Sequence, residues 1–68
     1  MNNEIILNNN IKQTRIEQKI SQEELAKMTG ITRQTIIAIE KGVFSPTAKL
    51  ALLICLALNK KFEELFYF

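Results

Sequence analysis

The residues best suited to a chemical role lie between Ser21 and Gly42, in the stretch SQEELAKMTGITRQTIIAIEKG. Arginine can donate two hydrogen bonds to O6 and N7 of guanine, glutamine can pair with N6 and N7 of adenine, and small apolar groups can contact the methyl group of thymine. After Thr32, helical spacing places Ile36 and Ile39 on the inner side of a helix. The opposite side is the candidate surface for such contacts, and we call it the reading face; it is formed by Arg33, Gln34, Ile37, Ala38 and Lys41.

Two short helices joined by a tight turn are needed to position the reading face. Ser21 can cap the first of them, and Glu24, three residues later, completes a capping box. Gly30 follows where that helix should end, and glycine enters the left-handed conformation of such a turn without a steric penalty. Thr32 can cap the second helix. This arrangement, over about residues 21–42, is a helix-turn-helix, a motif that places its second helix in the major groove of DNA.

Apolar residues at helical spacing predict how the two helices pack. Leu25, Ala26 and Met28 are expected to form the buried stripe of the first helix. Because Ala26 is small, the second helix can cross close to it. Ile31 is expected to fill the corner between the two helices. The sequence therefore predicts a tight crossing with the reading face directed outward.

The rest of the chain supplies three further helices and a short extended segment. Helical patterns predict a first helix over about residues 11–19, a fourth over about 46–58 and a short fifth that ends in residues 67–68. Ile5 to Leu7 is predicted to be extended, because it places β-branched residues between asparagines. The caps expected for the first and fourth helices are Asn9 or Asn10, and Ser45 followed by Pro46.

Length and composition limit the possible functions. A chain of 68 residues forms one domain, residues 1–68, with a thin core that oligomerisation would supplement. The net charge of +2 is only weakly basic, so nucleic-acid binding would depend on where individual basic side chains lie. The first residues carry no basic segment, and no apolar run is long enough to cross a bilayer, so we expect a cytoplasmic protein.

No residue pattern indicates catalysis or a cofactor. Cys55 is the single cysteine and histidine is absent, so neither an internal disulfide nor a Cys/His metal site is expected, and Cys55 is interpreted as a core residue. The acidic pairs Glu23–Glu24 and Glu63–Glu64 are interpreted as solvated charges that favour helix N-termini. Because no nucleophile, base and orienting group converge, an enzyme and a small-molecule substrate are not expected.

The ordered pieces SQEELA, TGITRQTI, IEKG, SP and EELF resemble the lambda-repressor-like, Cro-type (XRE) helix-turn-helix family. The resemblance covers about residues 11–66. It implies an all-α, five-helix DNA-binding domain. In that family the helix over about residues 32–41 enters the major groove of double-stranded DNA, and the helix that begins at Gln22 crosses the backbone.

The resemblance also implies roles for individual side chains. Arg15 and Glu40 would form an ion pair that joins the first helix to the end of the reading helix. Ile37 would meet a thymine methyl group or a sugar, although it could also be an exposed apolar residue without a role. Phosphates would be contacted by Ser21, Gln22 and Thr35, with attraction from Lys27 and Lys41, and base edges by Arg33, Gln34, Ala38 and the methyl group of Thr32.

Some positions depart from the family's pattern. Thr29 stands where leucine is usual, Thr14 where an apolar residue is common and Lys60 where valine is common, which weakens the expected core packing there. Leu53 and Leu56 are apolar where relatives commonly carry charges. These two leucines indicate a surface that a partner covers.

Apolar residues that one small fold cannot easily bury predict a homodimer. The two apolar ends, over residues 5–7 and 65–68, could meet a second copy, or residues 5–7 and 66–68 could pair with each other as two short strands. The predicted dimer interface comprises Ile5, Ile6, Leu7, Leu53, Leu56, Phe66, Tyr67 and Phe68.

The sequence thus leads to one principal hypothesis and one rival. The principal hypothesis is a sequence-specific DNA-binding transcriptional regulator that acts as a dimeric repressor at a palindromic operator. The rival is an antitoxin-like or other interaction module that mainly binds a protein partner through the fourth helix. Under the rival, Gln22, Arg33 and Gln34 are ordinary solvated helix residues.

Overall fold

A computed structural model describes residues 5–68. Over these residues the chain forms five helices and one antiparallel pair of short strands, which confirms the predicted fold class. The structure includes the predicted extended segment at residues 5–7, whereas Met1–Glu4 lie outside the described residues. The elements are β1 (Asn8–Asn9), α1 (Ile11–Glu17), α2 (Gln22–Thr29), α3 (Arg33–Glu40), α4 (Ala48–Leu58), α5 (Phe62–Leu65) and β2 (Phe66–Tyr67).

One hydrophobic core joins all five helices. The helix α2 packs against both α3 and α4, and Ala26 is buried on the side of α2 that faces the core. Full burial of one isoleucine or leucine side chain contributes about 1.5–3 kcal/mol. Side chains with almost no exposed area come from every helix, and they are Ile11, Leu25, Ile36, Ile39, Ile54, Leu58 and Leu65.

The buried side of α2 differs from the predicted stripe at one position. Met28 is 52% exposed, so its assignment to the core was wrong, and Thr29 is buried instead. Residues 25, 26 and 29 lie on one side of a helix, whereas residue 28 lies about 100° away from residue 29. The hydroxyl of Thr29 donates to the carbonyl oxygen of Leu25 at 2.8 Å, so its polar atom is satisfied inside the core.

Two helix ends differ from those predicted. The helix α1 ends at Glu17, because Lys19 adopts a left-handed conformation with φ 61°. The helix α4 begins at Ala48, and its cap is Thr47, whose Oγ1 accepts from the backbone N–H of Leu50 at 3.2 Å. The prediction that Ser45 caps this helix was therefore wrong. Ser45 and Thr47 both have hydroxyls that can cap a helix, and the local sequence pattern does not distinguish the two residues.

The first strand begins at Asn8, directly after the predicted extended segment. Asn8 pairs with Tyr67 and Asn9 with Phe66, whereas the sequence predicted pairing by residues 5–7. The asparagine at position 9 is held on both sides: its Nδ2 donates to the carbonyl of Ile39 at 2.9 Å, and its Oδ1 accepts from the N–H of Ile11 at 3.1 Å. The last helix consequently stops at residue 65 rather than at the chain end.

Cys55 lies buried on α4, as expected for a core thiol. Burial raises the pKa of this thiol, and the charge of Glu63 raises it further. The thiol is therefore kept in its protonated, unreactive form. Within residues 5–68, no helix is long and apolar enough to cross a membrane, and no group of three or more acidic or cysteine side chains could hold a metal ion.

Candidate nucleic-acid interface

The helix α2 starts with the capping box that the sequence predicts. The Oγ of Ser21 accepts from the backbone N–H of Glu24 at 3.0 Å, and the N–H of Ser21 donates to Oε1 of Glu24 at 2.8 Å. A serine hydroxyl has one proton to donate besides the lone pairs with which it accepts. The oxygen accepts in the cap, and the proton, which can face the carboxylate of Glu24, can instead be donated to a phosphate when one is bound. Ser21 is exposed, as such a contact requires.

Loss of this cap should destabilise the domain measurably. Ser21→Ala is expected to lower the free energy of unfolding by about 0.5–2 kcal/mol, because the N–H of Glu24 loses its partner. Urea denaturation at neutral pH measures the difference. Ser21→Asn is the control, because asparagine caps equally well and should restore most of the stability. An unchanged stability in Ser21→Ala would contradict the role of the cap.

The same capping box predicts a pH dependence. The hydrogen bond from the backbone of Ser21 lowers the pKa of Glu24 below its usual 4.5, and the hydroxyl of Ser21 lowers it further. A carboxyl whose folded pKa is depressed contributes stability above its unfolded pKa, and loses it as the pH falls through the folded pKa. Glu24→Gln should therefore show a smaller loss of stability below pH 4.5 than the unmodified chain. Thermal melts at several acidic pH values test this.

The turn between α2 and α3 is built from Gly30 and Thr32. Gly30 is in the left-handed conformation with φ 76°, and the N–H of Ile31 donates to the carbonyl of Ala26 at 3.1 Å. Thr32 then caps α3, with its Oγ1 accepting from the N–H of Thr35 at 3.2 Å. The hydroxyls of Thr32 and Thr35 also lie 2.9 Å apart, within hydrogen-bonding distance. The turn thus fixes the direction in which α3 leaves α2.

The reading face lies on the outer side of α3. Ile36 and Ile39 are each 1% exposed and fix the inner side of the helix. Arg33 and Gln34 are exposed in the first turn and, among the described residues, form no side-chain hydrogen bond or ion pair. Their donors are therefore available to a ligand. Of the remaining sequence-predicted contacts, Thr32 and Lys41 are exposed, and Thr35, Ile37 and Ala38 are half-buried.

The ion pair expected between α1 and α3 is present. Arg15 Nε donates to Oε2 of Glu40 at 2.8 Å and its second terminal nitrogen donates to Oε1 at 3.3 Å. The first terminal nitrogen donates to the carbonyl of Ile20 at 3.0 Å. The two charged side chains are only 9% and 5% exposed. The pair therefore joins α1, the segment after it and the end of α3.

Gln22 belongs to the same network. Its Nε2 donates to Oε1 of Glu40 at 3.1 Å, and the side chain is half-buried. Sequence reasoning assigned Gln22 to a phosphate contact and missed this structural bond. An amide nitrogen has two protons, so the second remains for an acceptor outside the domain. Gln22 thus connects the beginning of α2 to the ion pair.

The reading face has one polar flank. Arg33 and the first residues of α2 border an open depression. The depression lies at the N-terminus of α2, where the helix dipole is positive. Unpaired backbone N–H groups at such an end attract anions. Glu23 borders the same depression and opposes an anion, whereas the remaining groups donate hydrogen bonds. The lining residues are Arg15, Ser21, Gln22, Glu23 and Arg33.

The other flank of the reading face is apolar, and sequence reasoning did not assign it. Val43 and Phe44 follow α3 after Lys41 and Gly42, and they are 75% and 47% exposed. They border an open groove with Thr35 and Ala38. The signal in the sequence was a pair of large apolar residues directly after Gly42, where a polar loop is usual.

The proposed dimer residues are distributed between surface and core. Phe66 is 3% exposed and stacks on Phe62 with ring centroids 5.0 Å apart, so assigning it to a dimer interface was wrong. Leu7 and Leu53 are half-buried, and Leu7 packs against the core. Leu52, which sequence reasoning missed, is exposed one turn before Leu56. The predicted residues that remain exposed are Ile5, Ile6, Leu56, Tyr67 and Phe68.

Comparison with known proteins places this geometry in a family. The helix-turn-helix family model matches residues 11–65. An uncharacterized HTH-type transcriptional regulator, YgzD, of Bacillus subtilis (strain 168) is 44% identical over 61 residues, which cover 90% of this chain and 92% of the relative. An uncharacterized HTH-type transcriptional regulator of Methanocaldococcus jannaschii is 44% identical over 62 residues, covering 91% and 94%.

Solved structures agree with the fold. The restriction-modification controller protein C.AhdI of Aeromonas hydrophila superposes with a TM-score of 0.76 at 26% identity, over 79% of this chain and 82% of that chain. A putative DNA-binding protein of Bacteroides fragilis superposes with a TM-score of 0.82 over 91% of this chain and 100% of that one, and at 21% identity it supports the fold alone. The chain therefore belongs to the lambda-repressor-like, Cro-type (XRE) helix-turn-helix family of DNA-binding transcriptional regulators.

Proposed function

We propose that this protein represses transcription by binding, as a homodimer, to a short palindromic operator and blocking polymerase there. The observation that carries the proposal is the exposure of Arg33 and Gln34 on α3. Both side chains are exposed in the first turn of a helix whose direction is fixed by a glycine turn and a threonine cap. The N-terminal residues of such a helix are the ones that reach base edges in the major groove.

The proposed contacts follow from the hydrogen-bonding groups available. Arg33 can donate two bonds to a guanine, and Gln34 can exchange two bonds with an adenine. The hydroxyl proton of Ser21 and the free N–H groups at the start of α2 suit a phosphate on the polar flank. Lys41, at the end of α3, would add general attraction to the backbone. Base contacts then determine the sequence, and phosphate contacts determine the orientation.

Exposed apolar residues support the proposed homodimer. Leu56 is 78% and Phe68 79% exposed, and Leu52 adds a second leucine on the same side of α4. Apolar area left in water is a liability that a second copy would remove. A two-fold axis would also place two reading helices about 34 Å apart, one turn of B-DNA. Each half of a palindrome would then meet an identical reading face.

Selection of bound sequences from random duplex DNA at physiological salt tests the proposal, together with sedimentation of the purified protein. Recovery of an inverted repeat and a dimer would support it. Transcription of a reporter gene placed behind the recovered operator tests repression. Repression predicts less transcription when the protein is present. A monomer that enriches no sequence would contradict the proposal and favour the rival interaction module.

Substitutions on the reading face should separate base contacts from phosphate contacts. Arg33→Ala and Gln34→Ala are each expected to weaken specific binding by about 1–3 kcal/mol and to relax the preference at one base position per half-site. Lys41→Ala should weaken binding to all sequences alike. Competition between operator and random DNA measures the difference. Equal losses on both DNAs for Arg33→Ala would remove Arg33 from the sequence-reading contacts.

A further inference from the structure

The apolar flank of the reading face is held in a fixed position. Gly42 has φ 79°, a conformation that reverses the chain after α3. The N–H of Val43 then donates to the carbonyl of Ala38 at 3.1 Å, and the N–H of Gly42 donates to that of Ile39 at 3.0 Å. These bonds complete the C-terminal cap of α3. Val43 is thereby fixed beside Ala38 on the outer side of the helix.

The side chains of this flank are not used by the core. Val43 is 75% exposed and Phe44 47% exposed, although each would gain by burial. With Thr35 and Ala38 they border the groove that runs along one side of α3. Gln34 borders the same groove, so the apolar surface is continuous with a side chain that we assign to base contact. An apolar group next to a base edge would therefore fit this groove.

We propose that Ala38, Val43 and Phe44 form an apolar pocket for the C5 methyl group of a thymine, next to the base that Gln34 contacts. This inference rests on the proposed operator binding. In the major groove the thymine methyl is the apolar group that distinguishes one base pair from another, and alanine and phenylalanine are among the side chains that contact it. The depression on the polar flank, which Ser21, Gln22 and Arg33 border, has no apolar side chain in its lining. The two flanks of α3 therefore differ in chemistry, which predicts a preference for thymine on one side of each half-site.

Replacement of thymine by deoxyuridine tests the pocket directly, because it removes the methyl group and keeps every hydrogen-bonding group of the base. Each thymine of the selected operator is replaced in turn. Burial of one methyl group corresponds to about a 4-fold change in the dissociation constant. We expect a loss of about 3- to 5-fold at one thymine per half-site. No loss at any thymine in either half-site would overturn the proposal.

Variants of the flank identify the residues that contact the methyl group. In Val43→Ser and Phe44→Ser, the operator with thymine and the operator with deoxyuridine should bind about equally, because the pocket is gone. Ile16→Ser is the matched control, since Ile16 is 57% exposed on α1 and borders a different depression. This control should retain the full 3- to 5-fold preference. Persistence of the preference in Val43→Ser and Phe44→Ser would exclude these residues from the pocket.

The outcomes separate this inference from the proposed function. Failure to select any operator would contradict sequence-specific binding itself. A selected operator that is insensitive to deoxyuridine would leave the proposed function intact and overturn the pocket. If Val43→Ser weakened binding to operator and to random DNA equally, the flank would be assigned to sugar contacts and the proposed pocket would be overturned. Dissociation of the homodimer by Val43→Ser in sedimentation would assign the flank to a protein interface and likewise overturn it.

Discussion

Arg15→Met or Glu40→Met alone is expected to lower the free energy of unfolding by about 3–5 kcal/mol. Each single change leaves the other charge in a site where the pair is 9% and 5% exposed. Glu40 accepts from Gln22 as well as from Arg15, so Glu40→Met also removes the acceptor of the glutamine amide. Small domains have a total stability of about 5–15 kcal/mol, so either change can unfold a large fraction of the protein.

The double change Arg15→Met with Glu40→Met should be much milder than the sum of the single changes. Apolar side chains of similar volume can replace a buried ion pair with little loss, because no charge is then left without a partner. Chemical denaturation of the four proteins in the cycle gives the coupling energy. Purely additive losses would show that the two side chains do not act as a pair. Gln22→Ala is a useful control, because it removes one bond to Glu40 and leaves the ion pair in place.

A competing role for Arg15 gives the opposite pattern. Arg15 also borders the open depression on the polar flank, next to Ser21 and Arg33. A residue that acted mainly on phosphate would, when replaced by methionine, weaken DNA binding and leave the melting temperature nearly unchanged. The geometry favours the structural role, because the guanidinium donates to Glu40 and to the carbonyl of Ile20. Melting temperature and DNA affinity measured on the same variant distinguish the two.

Local rules were sufficient to predict the helix-turn-helix. The capping box at Ser21, the left-handed Gly30 and the cap at Thr32 each depend on residues close together in sequence, and all three have the predicted geometry. Two isoleucines one turn apart were enough to orient α3, because they could only be buried together. These short-range features determine where Arg33 and Gln34 point.

Features that depend on distant parts of the chain were predicted less well. The strand register is determined by Asn9, which bonds to the carbonyl of Ile39 thirty residues away, and by the N–H of Asn10, which donates to the carbonyl of Leu65 at 2.8 Å. Phe66 is buried because it stacks on Phe62 against the core, although its position near the chain end suggested an exposed residue. Exposure of Val43 and Phe44 likewise depends on which elements leave them uncovered. Such outcomes follow from packing, which a pattern of residue types does not specify.

Leu56→Glu is expected to convert the proposed dimer to monomers and to weaken operator binding by about 10²- to 10⁴-fold, the gain that two linked contacts provide. Leu56 is 78% exposed, so the substitution should leave the folded monomer intact and place a charge only in the interface. Monomers neutralise fewer phosphates, so the logarithm of the affinity should also fall less steeply with the logarithm of salt concentration. Sedimentation and binding at several salt concentrations measure both effects.

Matched variants identify which apolar residues form the interface. Phe68→Ser tests the apolar residue that follows the terminal sheet, and it is preferable to deletion of the last two residues because Tyr67 pairs with Asn8 in the sheet. Ile16→Glu is the control, because it also replaces an exposed apolar side chain by glutamate, but on α1. If both α4 and the terminal sheet lie in the interface, Leu56→Glu and Phe68→Ser should each dissociate the dimer and Ile16→Glu should not. A Leu56→Glu protein that still sediments as a dimer would remove α4 from the interface. An unmodified protein that is monomeric at micromolar concentration would contradict the dimer altogether. Each protein molecule would then bind the operator through a single reading face.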